Sequence, residues 1–250
     1  MSKPVFVLLH AFPVSSAMYD DVRGSLGEVC DLITPDFAGF GDAKLSDLEP
    51  SLDVYADDVV AMLDERGIDR AVFGGTSMGG YVTMAILRRH GGRVAGVVLA
   101  DTKATADTPA ARDNRLAVAD QVETAGSTEA LARAMVPNLL GESTHADRPD
   151  VVDRVRGWIE SADSRAVAWA QRAMAARPDS LDDLARFDGP GLVVWGTEDA
   201  ISPRSEQALM RSELVDGDYV TLPGAGHLSA IETPKPFAAA VTAFLTNFTS

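Results

Sequence analysis

The chain has one cysteine in 250 residues, Cys30, so no intrachain disulfide can staple it. Cys30 sits in an apolar stretch, Val29-Cys30-Asp31-Leu32-Ile33, which predicts a buried structural thiol rather than a reactive one. Positive charge is scarce. The 22 Lys and Arg face 37 Asp and Glu, giving a formal net charge of −15 and a pI near 4.6. That balance repels nucleic acid and anionic membrane surfaces, and it favours solubility. No apolar run is long enough to span a bilayer. Met1-Ser2-Lys3-Pro4 leads straight into an apolar run without the pattern of a cleavable signal, so a cytoplasmic location is expected. Metal motifs are missing: there is no H-E-x-x-H and no paired-cysteine spacing. Gly39-Phe40-Gly41 and Gly224-Ala225-Gly226 are too short and wrongly placed for a dinucleotide loop. No cofactor is therefore expected. What is present is ordinary for a globular protein, with 46% hydrophobic and 24% charged residues. The length suffices for one large core, or for a core with an inserted subdomain.

Val5-Phe6-Val7-Leu8-Leu9 is a continuous apolar run, the pattern of a strand covered on both faces. Further strands are predicted at Val29–Thr34, Ala71–Gly74, Val94–Ala100, Gly191–Trp195 and Asp218–Leu222. Helices are predicted between them. Met18–Leu26 follows the candidate caps Ser15 and Ser16. Leu52–Arg66 carries Leu52, Tyr55, Val59 and Leu63 at helical spacing. Tyr81–Arg89, Pro203–Leu214 and Pro236–Phe248 complete the set, proline being acceptable in a first helical turn. Strands alternating with helices imply an α/β fold, a mostly parallel sheet of about six strands with helices on both faces.

The alternation stops from Thr102 to Phe187. Leu131, Met135 and Leu139 form one helical stripe there, and Val151, Val155, Trp158 and Ile159 form another. Pro109, Pro137, Pro149 and Pro178 punctuate the segment. We read residues 102–187 as a helical cap, or lid, inserted into a core made of residues 1–101 and 188–250.

Ligands of such sheets bind beyond the carboxyl ends of the strands. His10, Ser77, Asp101, Asp199 and His227 all follow predicted strand ends. Ser77 lies in Gly75-Thr76-Ser77-Met78-Gly79, a G-x-S-x-G between a strand and a helix. A serine at that corner is thrust out of the sheet. The helix N-terminus behind it offers free N–H groups to a developing negative charge. Small residues at 75 and 79 permit the tight bend. A hydroxyl becomes a good nucleophile only when a base takes its proton, and histidine has the suitable pKa. His227 follows the last strand in a Gly-x-Gly-His turn and is the candidate base. An acid must then orient the histidine. Asp199 is favoured by the run Trp195-Gly-Thr-Glu-Asp199, and Asp101 is the alternative, with a loop-holding or capping role otherwise. Glu198 should point elsewhere.

The backbone N–H groups of Phe12 and Met78 are the candidate oxyanion donors. His10 is read as structural, bracing its loop. Of the other histidines, His90 reads as a helix C-terminal cap and His145 as exposed. The apolar stripes of the insertion would mostly glue it to the core. Met135, Leu139 and Trp158 are candidate substrate contacts, and Tyr81 and Trp195 are read as core.

Five motifs carry a resemblance: His10-Ala11-Phe12-Pro13, Asp36-Phe37-Ala38-Gly39-Phe40-Gly41, Gly75 to Gly79, Trp195 to Asp199, and Gly226-His227. Together they resemble the α/β-hydrolase superfamily over the whole chain, in the subgroup with a helical cap, most like bacterial carboxylesterases and the 3-oxoadipate enol-lactonase-like group. The resemblance implies a serine hydrolase cleaving a small-molecule ester or lactone through an acyl-enzyme. Alternatives on the same fold are C–C bond hydrolysis, perhydrolysis, lyase chemistry, or slow-turnover small-molecule binding. Serine at the elbow argues against an aspartate nucleophile of the dehalogenase kind. Two departures stand out. Ala11 replaces the glycine usual after His10, and the N-terminal antiparallel hairpin of many members has no counterpart. The oligomeric state is not legible.

Overall fold

The computed structural model describes residues 3–248. Met1 and Ser2, on which the reading of the N-terminus partly rests, lie outside that range. Strand β1 (Val5–Leu9) is buried from Phe6 onward because helices cover both faces of the sheet around it. That double coverage is why its sequence shows no alternation. The remaining strands are β2 (Asp31–Ile33), β3 (Ala71–Thr76), β4 (Val94–Ala100), β5 (Pro190–Gly196) and β6 (Asp216–Leu222). All neighbours pair in parallel, in the order β2-β1-β3-β4-β5-β6.

All six strands predicted from the sequence are present, and their ends shift for local reasons. Val29 and Cys30 do not join β2, because their N–H groups donate to Leu26 O and close the preceding helix. Cys30 is buried and its Sγ donates to the same carbonyl, as a structural thiol would; burial pushes the thiol up to about 11. Gly75 and Thr76, read as part of the turn, extend β3.

The first helical stretch splits into a 3-10 turn (Ser16–Tyr19), capped by Ser15, and α1 (Asp20–Gly27). Helix α2 (Leu52–Glu65) is capped by Ser51. Helix α3 (Met78–His90) starts directly after Ser77, earlier than the predicted Tyr81. Between β4 and β5 the described chain is helical: α4 (Pro109–Ala125), α5 (Glu129–Leu139), α6 (Glu142–Asp147), α7 (Pro149–Ser161), α8 (Ser164–Ala175) and α9 (Leu181–Ala185). Pro109 and Pro149 open α4 and α7, where a missing N–H costs nothing. Beyond β5 come α10 (Arg204–Glu213), the short α11 (Ser229–Glu232), which the sequence pattern does not reveal, and α12 (Pro234–Leu245).

Sheet order explains the convergence of the polar residues. The chain runs outward from β1 to β2, then reverses to β3 on the other side. Beyond the carboxyl ends of β1 and β3 lies the crevice such a reversal creates. Leu9 pairs with Gly75, so His10–Phe12 leaves the sheet beside Thr76–Met78. Thr76 pairs with Ala100, Ala100 with Val194, and Gly196 with Leu222. The segments that follow β1, β3, β4, β5 and β6 therefore emerge along one rim.

Candidate active site

Ser77 is held at φ 54° and ψ −114°, a left-handed conformation unusual for a non-glycine residue. Its N–H donates to Ala100 O at 3.0 Å. Its carbonyl accepts from Gly80 N at 2.9 Å and from Thr102 Oγ1 at 2.8 Å. The flanking glycines are required by contact. A Cβ on Gly75 would strike the Gly79–Gly80 backbone, and one on Gly79 would strike the carbonyls of Leu9 and His10. The start of α3 is thus pressed against the end of β1. Within a fully buried stretch, Ser77 alone is only half-buried.

The imidazole of His227 lies between Ser77 and Asp199. Its Nε2 is 2.8 Å from Ser77 Oγ. Its Nδ1 is 3.0 Å from each Asp199 carboxylate oxygen. Asp199 Oδ1 also accepts from the N–H groups of Ile201 at 2.8 Å and Ser202 at 3.0 Å. Burial alone would raise the Asp199 carboxyl, but the imidazole and these amides outweigh it and hold the group below its ordinary value. Burial alone would lower His227, but the negative charge of Asp199, with Asp101 and Glu232 behind it, raises the imidazole above its ordinary value. With Nδ1–H given to Asp199, Nε2 is free to accept the Ser77 hydroxyl proton.

Asp101, the alternative acid, does not touch the imidazole. It is fully buried, and its Oδ1 accepts from Gly196 N at 2.8 Å. Its Oδ2 accepts from the N–H and hydroxyl of Ser229. Glu198 points away from the histidine, accepting from Ser143 N at 2.8 Å and from Ser143 Oγ at 2.5 Å. Among the described residues the amides of Phe12 and Met78 have no hydrogen-bond partner. His10 is buried, with Nδ1 bonded to Ala11 O at 2.9 Å and Nε2 accepting from Phe37 N at 3.1 Å. Burial lowers it to about 4, so it stays neutral. Ala11 does not occupy the left-handed region that would demand glycine, and its methyl is fully buried.

The candidate substrate contacts separate. Leu139 is buried, and its carbonyl accepts the backbone N–H of His227 at 3.1 Å. Met135 is half-buried against the core. Trp158 lines a cavity of about 240 Å³ with Pro13, Val14 and Phe40, next to the Phe12 loop. Tyr81, read as core, also lines a cavity and carries the Arg177 guanidinium 4.1 Å above its ring. Trp195 donates to Ser202 O at 3.0 Å. His90 ends α3 with Nε2 2.7 Å from Asp57, and His145 is exposed.

Sequence reasoning misses Ser202, Ser229 and Glu232. Ser202 Oγ lies 3.1 Å from His227 Nδ1. Glu232 accepts from Gly141 N and Thr144 Oγ1 at 2.7 Å each, and from Leu228 N at 3.0 Å. A hint existed for Ser202, since Asp199-Ala-Ile-Ser202 just before a proline is a turn-forming pattern. Nothing local marks the other two.

This geometry sits on a fold of known kinship. A model of the alpha/beta hydrolase family matches residues 6–240, and the chain belongs to that family. It is 36% identical to a thermophilic esterase from Thermogutta terrifontis, solved with malate bound, over 100% of this chain and 92% of that one, with a TM-score of 0.96. It is 27% identical to the enol-lactonase from Burkholderia xenovorans LB400, covering 98% of this chain and 92% of that one at a TM-score of 0.89. By sequence it is 29% identical to haloalkane dehalogenase 2 of Mycobacterium tuberculosis over 95% of this chain and 86% of that protein. Among the described residues no helix is long and apolar enough to cross a membrane.

Proposed function

We propose that this protein hydrolyses a carboxylic ester or lactone of a small molecule through an acyl-enzyme on Ser77. The observation that carries the reading is the unbroken chain Ser77 Oγ, His227, Asp199, with contacts of 2.8 and 3.0 Å. Similarity to the Thermogutta esterase and the Burkholderia enol-lactonase supports the substrate class. Serine at the elbow distinguishes this chain from an aspartate-nucleophile dehalogenase, despite the mycobacterial relative.

In this reading His227 Nε2 takes the Ser77 proton as the hydroxyl attacks the carbonyl carbon. Asp199 fixes the tautomer and stabilises the imidazolium that results. The oxyanion is held by the N–H groups of Phe12 and Met78. Each such donor contributes about a hundredfold or more in rate. His227 then returns the proton to the leaving alcohol oxygen. In the second half it deprotonates water, which attacks the acyl-enzyme and frees the acid. Residues 102–187 act as a cap over the core of 1–101 and 188–250. Trp158, with Met135, borders the substrate. The buried Leu139 contributes by holding the His227 backbone instead.

The test is Ser77→Ala assayed on a short p-nitrophenyl ester, with fluorophosphonate labelling of the parent enzyme. Turnover should fall by about 10⁴-fold or more. Undiminished turnover in the variant would overturn the assignment.

A further inference from the structure

Asp101 is a fully buried acid in the left-handed region, at φ 46°. Among the described residues no lysine or arginine pairs with it. An uncompensated carboxyl in such a place is expensive, so its bonds need an account. Oδ1 takes the N–H of Gly196, three residues before Asp199. Oδ2 takes the N–H and hydroxyl of Ser229, two residues after His227. The Asp101 carbonyl takes the Ser202 hydroxyl at 2.9 Å, and that oxygen sits 3.1 Å from His227 Nδ1. One residue thus grips the Asp199 loop, the His227 loop and a third neighbour of the imidazole.

We propose that Asp101 is a positioning residue that holds the Asp199 and His227 loops in register and whose negative charge favours the imidazolium formed when Ser77 attacks. The proposal rests on the Ser77–His227–Asp199 reading above. A neutral asparagine would serve Gly196 N as well, but it would supply no charge. Once Asp101 ionises, its charge has a clear recipient, because it is among the groups that raise His227.

Titratable groups reach this region from each surrounding element. Asp199 follows β5 and His227 follows β6. Tyr19 comes from the 3-10 turn and Tyr219 from β6, while the charge of Glu232 in α11 acts on the imidazole from a distance. Burial pushes both tyrosines up, and Asp199 is held down. Burial, and then repulsion from Asp199, raises Asp101 to about 8. Below that pH the carboxyl is neutral. Above it the ionised form adds its charge.

The experiment measures the rate of fluorophosphonate attachment to Ser77 against pH. It uses the parent protein, Asp101→Asn and Ser229→Ala, with the melting temperature of each. The parent should show the His227 limb and a second rise centred near pH 8. Asp101→Asn should lose the second rise and run about tenfold slower at alkaline pH, with the His227 limb left in place because Asp101 is already neutral there. Ser229→Ala should keep the second rise but move it upward, because the Ser229 bond lowers Asp101. That variant keeps the proposal testable should Asp101→Asn fail to fold. A lower melting temperature with unchanged pH midpoints in both variants would make Asp101 a purely structural residue and overturn the proposal. Absence of Ser77 labelling in the parent would overturn the underlying triad reading instead.

Discussion

The carbonyl of Leu139, the last residue of α5, accepts the backbone N–H of His227 at 3.1 Å. A helix from the stretch between β4 and β5 therefore holds the backbone of the candidate base. Glu232 completes the attachment by accepting from Gly141 N and Thr144 Oγ1 at the start of α6, and from Leu228 N beside the histidine. Glu232→Ala leaves buried donors without partners, which costs about 2–4 kcal/mol. We expect a lower melting temperature and a fall in kcat larger than any change in KM, since the base loses its anchor. Thermal denaturation with steady-state kinetics checks both.

In the proposed mechanism the acid limb of activity follows from His227. Only the neutral imidazole can take the serine proton. Its pKa is raised, so activity is full above that raised value and is lost as pH falls through it. The limb should therefore lie above the ordinary histidine value of about 6.5. Asp199→Asn removes the main raising charge. It should shift the limb to lower pH and reduce kcat by up to about 10⁴-fold. A pH profile of kcat/KM for parent and variant is the measurement.

Asp107 ties the chain before α4 to α4 itself and to the segment that follows α8. Its almost wholly buried carboxylate meets Arg115 at 2.5 Å, Arg177 at 2.8 Å and Lys103 at 3.3 Å. Burial alone would raise it, but Arg177 and Arg115 overcome burial and hold it well below the usual carboxylate range. A depressed acid stabilises the fold above its unfolded-state pKa, about 3.9, and that stability is lost as pH falls further. Asp107→Asn leaves Arg177 buried without its counter-charge, a loss of about 3–5 kcal/mol near neutral pH. The difference from the parent should shrink below about pH 4. Urea denaturation at several pH values tests this.

Trp158 stands beside a cavity bordered by Pro13, Val14 and Phe40, next to the Phe12 loop. Trp158→Ala enlarges that space. The ratio of kcat/KM for long over short acyl esters should rise by about fivefold or more, in line with roughly 1–3 kcal/mol per methylene-scale change in a pocket. An unchanged ratio across an acyl series would remove Trp158 from the substrate's surroundings.

The fold was largely legible because its signals are local. Val5–Leu9 is apolar throughout since both faces are covered, and Leu52, Tyr55, Val59 and Leu63 mark one face of a helix whatever lies far away. Gly75 is legible for the same reason, since a Cβ there would strike the Gly79–Gly80 backbone of its own turn, whereas Gly79 is required by the distant carbonyls of Leu9 and His10. Element ends were less so. Val29 and Cys30 close the turn that follows α1 through bonds to Leu26, which no propensity encodes.

The sequence by itself determined the alternation of strands and helices, the sharp corner at Ser77 and the placement of His10, Asp101, Asp199 and His227 after strand ends. Only the tertiary structure decided that Asp199 meets the imidazole while Asp101 braces the loops beneath it, and that Ser202, Ser229 and Glu232 belong to the same assembly. The reason is physical. A residue's conformation follows from neighbours a few positions away, whereas a hydrogen bond from Gly196 to Asp101 or from Thr144 to Glu232 joins loops whose approach is set by how whole layers pack.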